Sequence, residues 1–210
     1  MDIPLLMAIL INVGLLGLQG WSFLGIKRKR DLFKYYTYLQ NLLSLLVSVF
    51  FVLFATLYLL GVETPLPFLE GLRYVTVTGL LVTMLIYTFL SLVCKDEKNQ
   101  IGVSDCKEGF SPKWVNAFLH YVCPLLSFLS FAVFERKIPI HGSFWTLLVA
   151  VPSVLYWIVY FLLTVTKRWV EPYRFPTSEN KTKNNLLEVG FVVLFVVLFL
   201  ATSFVAWNVR

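Results

Sequence analysis

The sequence predicts an all-α, polytopic membrane protein: six transmembrane helices in a single bundle, with no room left for a separate domain. Three observations predict it. Hydrophobic residues make up 58% of the 210-residue chain and charged residues 14%, whereas soluble domains lie nearer one half and one quarter. The charges are segregated, leaving six uncharged runs of at least 21 residues each, and about 20 apolar residues suffice to cross a bilayer as a helix. Finally, fourteen of the eighteen Lys and Arg residues fall in alternate connections, the first, third and fifth.

The first helix is expected over 3–26. The run is longer than the apolar core of a cleaved signal, and its positive charges (Lys27 to Arg30, then Lys34) follow it instead of preceding it, so it reads as a retained span. The second is expected over 35–62. A short connection from Glu63 to Arg73, with Pro65 and Pro67, leads to the third over 73–94. A longer loop carrying Lys95, Lys98, Lys107 and Lys113 precedes the fourth, over 114–134. The turn Glu135-Arg136-Lys137 joins it to the fifth, over 143–166, and a second long, basic loop leads to the sixth, over 186–208. The excess of Lys and Arg on one side places the odd-numbered loops in the cytoplasm. The net charge of +6 thus reports topology, and no nucleic-acid partner is expected. The protein is expected in the cell membrane if bacterial, and in the endoplasmic reticulum or plasma membrane if eukaryotic. Trp114, Trp145, Trp169 and Trp207 fall near span ends, where an aromatic belt would put them.

Polar residues inside the spans keep a helical period. In the second helix they are Thr37, Asn41, Ser44 and Ser48, and in the fourth Asn116, His120, Cys123 and Ser127. Both sets step by four, three and four, which holds them on one face. Helix 3 offers Thr76, Gly79, Thr83, Tyr87 and Ser91, and helix 5 Ser153, Tyr156, Tyr160 and Thr164. Small polar residues of this kind commonly join membrane helices.

His120 stands apart, an ionisable group well inside an apolar segment, and such a group is by default a functional-site candidate with a partner to be found. Six residues after Trp114 it lies about 9 Å deep. Thr37 and Asn41 lie in the same leaflet, in the first turns of the second helix. A threonine hydroxyl becomes a nucleophile when a base takes its proton, and a neutral imidazole suits that task near pH 7. Asn41 or Asn116 would orient the ring or donate to an oxyanion, Tyr87 would line the substrate site, and Glu188 would orient the imidazole. Pro124 lacks the N–H that an α-helix would offer to the His120 carbonyl, so a kink or opening is expected there.

The plainer reading of the same residues is a non-catalytic lipid-binding or transport bundle in which Thr37 and His120 hydrogen-bond for structure. Other chemistries fare worse. One deep histidine cannot supply paired axial haem ligands. Cys94, Cys106 and Cys123 form no zinc spacing, and nucleotide and metalloprotease motifs are absent. No metal and no cofactor are expected.

Two segments resemble a known family. Phe33-Lys34-Tyr35-Tyr36-Thr37-Tyr38-Leu39-Gln40-Asn41-Leu42-Leu43 resembles the WKY-x-T-x-x-N-L-L segment of the androgen-induced / androgen-dependent tissue-factor-pathway-inhibitor-regulating membrane proteins. Asn116-Ala117-Phe118-Leu119-His120-Tyr121-Val122-Cys123-Pro124 resembles their N-H-x-x-H-T-x-x-x-P segment. Leu72-Arg73 onward is similar to the family's third helix, and Trp169-Val170-Glu171-Pro172-Tyr173 to its W-V-Y-P after the fifth. The bacterial Pr6Pr membrane proteins are also similar. The resemblance implies a membrane-embedded threonine hydrolase of lipid esters, such as fatty acid esters of hydroxy fatty acids, with Thr37 as nucleophile and His120 as base. The chain departs from the pattern at Gln40, where the family has asparagine, at Ala117, where it has histidine, and at Tyr121, where it has threonine.

Overall fold

The computed structural model describes residues 2–27, 35–93, 106–166 and 181–209, the side chains of 93, 164, 165 and 181–192 excepted. Its elements are α1 (Ile3–Gly25), α2 (Tyr36–Leu59), α3 (Leu66–Val93), α4 (Pro112–Phe134), α5 (Phe144–Leu148 continuing as Ala150–Val165) and α6 (Lys181–Asn208). The first five are long and apolar enough to cross a membrane. Side chains of α6 are described from residue 193, and the stretch Val193–Asn208 is apolar. Among the described residues there is no strand, only an isolated bridge between Ile26 and Cys106.

Local sequence explains the ends and breaks. Asp2 caps α1, its Oδ1 accepting from Leu5 N at 3.2 Å, one of the four donors a helix start leaves open. Gly61, at φ +83°, takes the chain out of α2 through a left-handed turn. Pro152 has no N–H for the Leu148 carbonyl, and α5 is interrupted at Val149 between Phe144–Leu148 and Ala150–Val165.

Side-chain pairs set the packing. Asn12 meets Ser48 and Gln19 meets Asn41, so α1 and α2 are antiparallel. Arg73 lies over the Phe51 ring while Gly79 faces Gln40, which makes α2 and α3 antiparallel. Arg73 also reaches Glu135 and Tyr87 stacks on His120, giving the same relation for α3 and α4. Helix α6 closes on α3 through Tyr74 Oη and Ser203 Oγ, 2.6 Å apart. Phe195 meets Tyr36 of α2 and Trp157 of α5. The outward faces expose Leu10, Leu46, Phe50, Val133, Leu155 and Phe204, as faces turned to lipid require.

The structure corrects two expectations. The segment from Glu63 to Arg73, expected as a connection, is helical from Leu66 onward. Amides of Phe68 and Leu69 bond to Pro65 O, and Pro67 sits in the first turn, where a missing N–H does no harm. Glu70 and Arg73 are therefore carried into the bundle, and both are fully buried. His120 is consequently not alone as an interior ionisable group. Trp145, expected in an interfacial belt, is also buried: its indole lies against Gly71 and its Nε1 donates to His141 O at 3.1 Å. Trp169 lies outside the described residues.

Candidate functional site

Polar residues gather in two layers. Asn12 and Gln19 of α1, Asn41 and Ser48 of α2, and His120 and Ser127 of α4 are each seven residues apart. Seven residues make about two turns and 10 Å. One layer contains Asn12, Ser48 and Ser127, and the other Gln19, Asn41 and His120.

The first layer is ionic. Arg73 Nε donates to Glu135 Oε2 at 3.0 Å and Nη2 to Oε1 at 2.9 Å. Its Nη1 reaches Ser127 Oγ at 3.2 Å. Asn12 Nδ2 donates to Glu135 Oε1 at 3.3 Å and to Ser130 Oγ at 3.1 Å, while Ser48 Oγ donates to Asn12 Oδ1 at 3.0 Å. Glu70 lies in side-chain contact with Glu135. The last turn of α4 is a π-turn, with Glu135 N bonded to Ser130 O, and Ser130 Oγ donates to Glu135 Oε1. A forked guanidinium–carboxylate pair whose carboxylate accepts further hydrogen bonds is the arrangement in which buried charges are tolerated. Sequence reading missed this layer. The available signals were Glu70 and Arg73 three residues apart and the polar pair Asn12 and Gln19 on one face of α1.

The second layer is uncharged and holds the residues expected to act. Asn41 is its hub. Its Nδ2 donates to Thr37 O at 2.9 Å and to Leu119 O at 3.1 Å, and its Oδ1 accepts from Gln19 Nε2 at 3.2 Å. A second π-turn, Phe118–Val122, makes the Leu119 carbonyl available. Cys123 N, which an α-helix would pair with Leu119 O, bonds instead to Phe118 O. The next donor in that wider register would be residue 124, a proline without an N–H. Leu119 O thus has no donor within its own helix in either register, and α2 supplies its partner.

His120 is buried, 3% exposed, and its ring lies parallel to that of Tyr87, with centroids 3.7 Å apart and planes 13° apart. Among the described residues neither ring nitrogen has a hydrogen-bond partner. Thr37 is half-buried in the first turn of α2. Asn41 therefore ties the backbone of Thr37 to the residue next to His120, but no hydrogen bond joins the Thr37 hydroxyl to the imidazole.

The other expected residues are placed as follows. Both amide protons of Asn41 are taken by backbone carbonyls, so it has none left for an oxyanion. Asn116 is half-buried in the first turns of α4. Tyr87 is half-buried and its ring faces the imidazole. Glu188 lies in α6, but its side chain is outside the described residues.

Helices of this length and apolarity, with apolar outward faces, define an all-helical multi-pass membrane protein. Compared with protein-family models, with curated proteins and with solved structures, the chain matches none.

Proposed function

We propose that this protein is a six-span membrane hydrolase of lipid esters, with Thr37 as nucleophile, His120 as general base and the odd-numbered loops in the cytoplasm. One observation carries the reading. An imidazole sits inside an apolar bundle with both nitrogens unpartnered, held in plane by Tyr87, beside a carbonyl that Asn41 ties to the Thr37 turn. Burying such a group without partners disfavours the fold, and a base awaiting a substrate accounts for it. The resemblance of the Thr37 and His120 segments to the family named above points the same way.

An amphiphile would reach the site laterally from the membrane, its acyl chain among the apolar side chains. His120 would take the Thr37 hydroxyl proton as Oγ1 adds to the acyl carbonyl. The ester C–O bond then breaks, and the imidazolium returns the proton to the departing alcohol. Water, deprotonated by the same imidazole, would cleave the acyl-threonine, releasing the acid and restoring the threonine hydroxyl. Asn116 would take the oxyanion role. Glu188, on α6, remains the candidate for orienting the ring.

A second reading, a non-catalytic lipid-binding or transport bundle, is favoured by the missing hydrogen bond between Thr37 and His120. The decisive experiment is labelling of the purified protein with a serine/threonine-hydrolase probe, alongside turnover of a panel of lipid esters. Thr37→Ala and His120→Ala should each abolish labelling and turnover while leaving the protein folded, with His120→Ala melting somewhat lower because it loses the Tyr87 stack. Labelling that survives in both variants rejects the catalytic assignment.

A further inference from the structure

The hydrogen bonds of Asn41 fix the polarity of the groups around it. The carbonyls of Thr37 and Leu119 can only accept, so the amide nitrogen of Asn41 faces them and its oxygen faces Gln19. That oxygen can only accept, so Gln19 must present its nitrogen, and Gln19 Oε1 is left as a bare acceptor. Gln40, preceding Asn41, leaves Oε1 unpaired beside Gly79 of α3. Ser44, one turn further along α2, leaves Oγ unpaired, and His120 leaves both nitrogens.

Four side chains from α1, α2 and α4, none more than 3% exposed, thus present unused hydrogen-bonding atoms around one hub. More than nine in ten buried polar groups of native proteins are paired, and each orphan costs about 1–3 kcal/mol. Hydrocarbon surroundings offer them no relief. The set therefore calls for a guest. Two of its members are amide oxygens, which need a donor. Ser44 and a neutral imidazole each take either role. Among the described residues, the buried cation is Arg73, and both its Nε and Nη2 are committed to Glu135 in the other layer. A carboxylate brought here would set its oxygens against acceptors, with no buried cation among the described residues of this layer to offset them. A hydroxyl both donates and accepts, and it carries no charge.

We propose that this layer binds the uncharged, hydroxyl-bearing head of a lipid, for which a glycerol monoester is the simplest case. Where the hydrolase reading holds, and this step rests on it, the preferred ester is that of a neutral polyol. Esters whose deep end is a free carboxylate are disfavoured.

The test uses the purified full chain in lipid nanodiscs and two probes of equal chain length: a monoalkylglycerol ether, which cannot be hydrolysed, and the corresponding fatty acid at a pH where it is ionised. The ether should bind and raise the unfolding temperature, and the fatty acid should not. Ser44→Ala keeps the packing nearly unchanged and Gln40→Leu removes the amide. Each should weaken ether binding roughly tenfold, the worth of one well-made hydrogen bond. Equal binding of ether and fatty acid, undiminished binding in both variants, or no ether binding at all (orphan atoms served by water only) overturns the proposal. Ether binding requires no chemistry at Thr37. A protein that binds the ether but cleaves no ester keeps this site and loses the hydrolase. One that cleaves free-carboxylate esters without binding the ether does the reverse.

Discussion

Asn41 of α2 donates to the backbone carbonyl of Leu119 in α4 across 3.1 Å, and that carbonyl is open because Cys123 N turns to Phe118 O and Pro124, next in the wider register, has no N–H. A helix defect in one element and a side chain in another thus complete each other. Since Leu119 adjoins His120, the pair also sets the depth of the imidazole relative to α2.

The coupling is measurable. Asn41→Ala should destabilise the bundle by about 1–3 kcal/mol, because it leaves buried carbonyls without a donor. Pro124→Ala restores an N–H that can serve Leu119 O within its own helix. The loss caused by Asn41→Ala should therefore shrink in a Pro124→Ala background. A double-mutant cycle on detergent-solubilised protein reads this directly, and strict additivity contradicts the complementarity.

The ionic layer should behave differently. Arg73→Met removes the guanidinium and leaves Glu135 buried without its ion-pair partner, which should cost about 3–5 kcal/mol. Replacing both members together, Arg73→Met with Glu135→Met, should destabilise less than the sum of the two single changes. Unfolding midpoints of the three variants check this.

Tyr87 should act through its ring. Tyr87→Phe keeps the surface stacked on His120 and should leave stability nearly unchanged. Tyr87→Ala should lose about 0.5–1.5 kcal/mol of ring–ring interaction in addition to the buried area. If the hydrolase reading holds, turnover falls in the alanine variant and persists in the phenylalanine variant.

Two glycines of α3 offer a contrast. A Cβ on Gly79 would overlap the amide end of Gln40, and a Cβ on Gly71 would overlap the Trp145 indole. The amide ends a flexible side chain and can move, whereas the indole is rigid and buried. Gly79→Ala should be close to neutral, since alanine also favours the helix. Gly71→Ala should cost about 1–3 kcal/mol through overpacking. Thermal melts that rank the two the other way round would contradict this packing.

Much of this architecture was legible in the sequence. Uncharged runs longer than a bilayer crossing announced the helices, because nothing but a helix satisfies every backbone group of such a segment in lipid. The four-three-four spacing announced that Thr37, Asn41, Ser44 and Ser48, and likewise Asn116, His120, Cys123 and Ser127, would turn inward; six of the eight are buried, and Thr37 and Asn116, at the helix starts, are half-buried. These properties are local: they follow from period and polarity along one element.

Tertiary structure alone decided which donor meets which acceptor. Charges at Glu70 and Arg73 read as the edge of a loop until α4 was seen to bring Glu135 against them. The sequence offered Asn41 as a group for substrate; packing against Leu119 and Gln19 used all of its hydrogen-bonding hydrogens. Trp145 read as an interfacial anchor until Gly71 was found to leave room for it inside. The physical reason is the same each time. A helix fixes the angular positions of its own side chains, but its depth and rotation against its neighbours come from packing, and an ångström of either changes a hydrogen bond's partner.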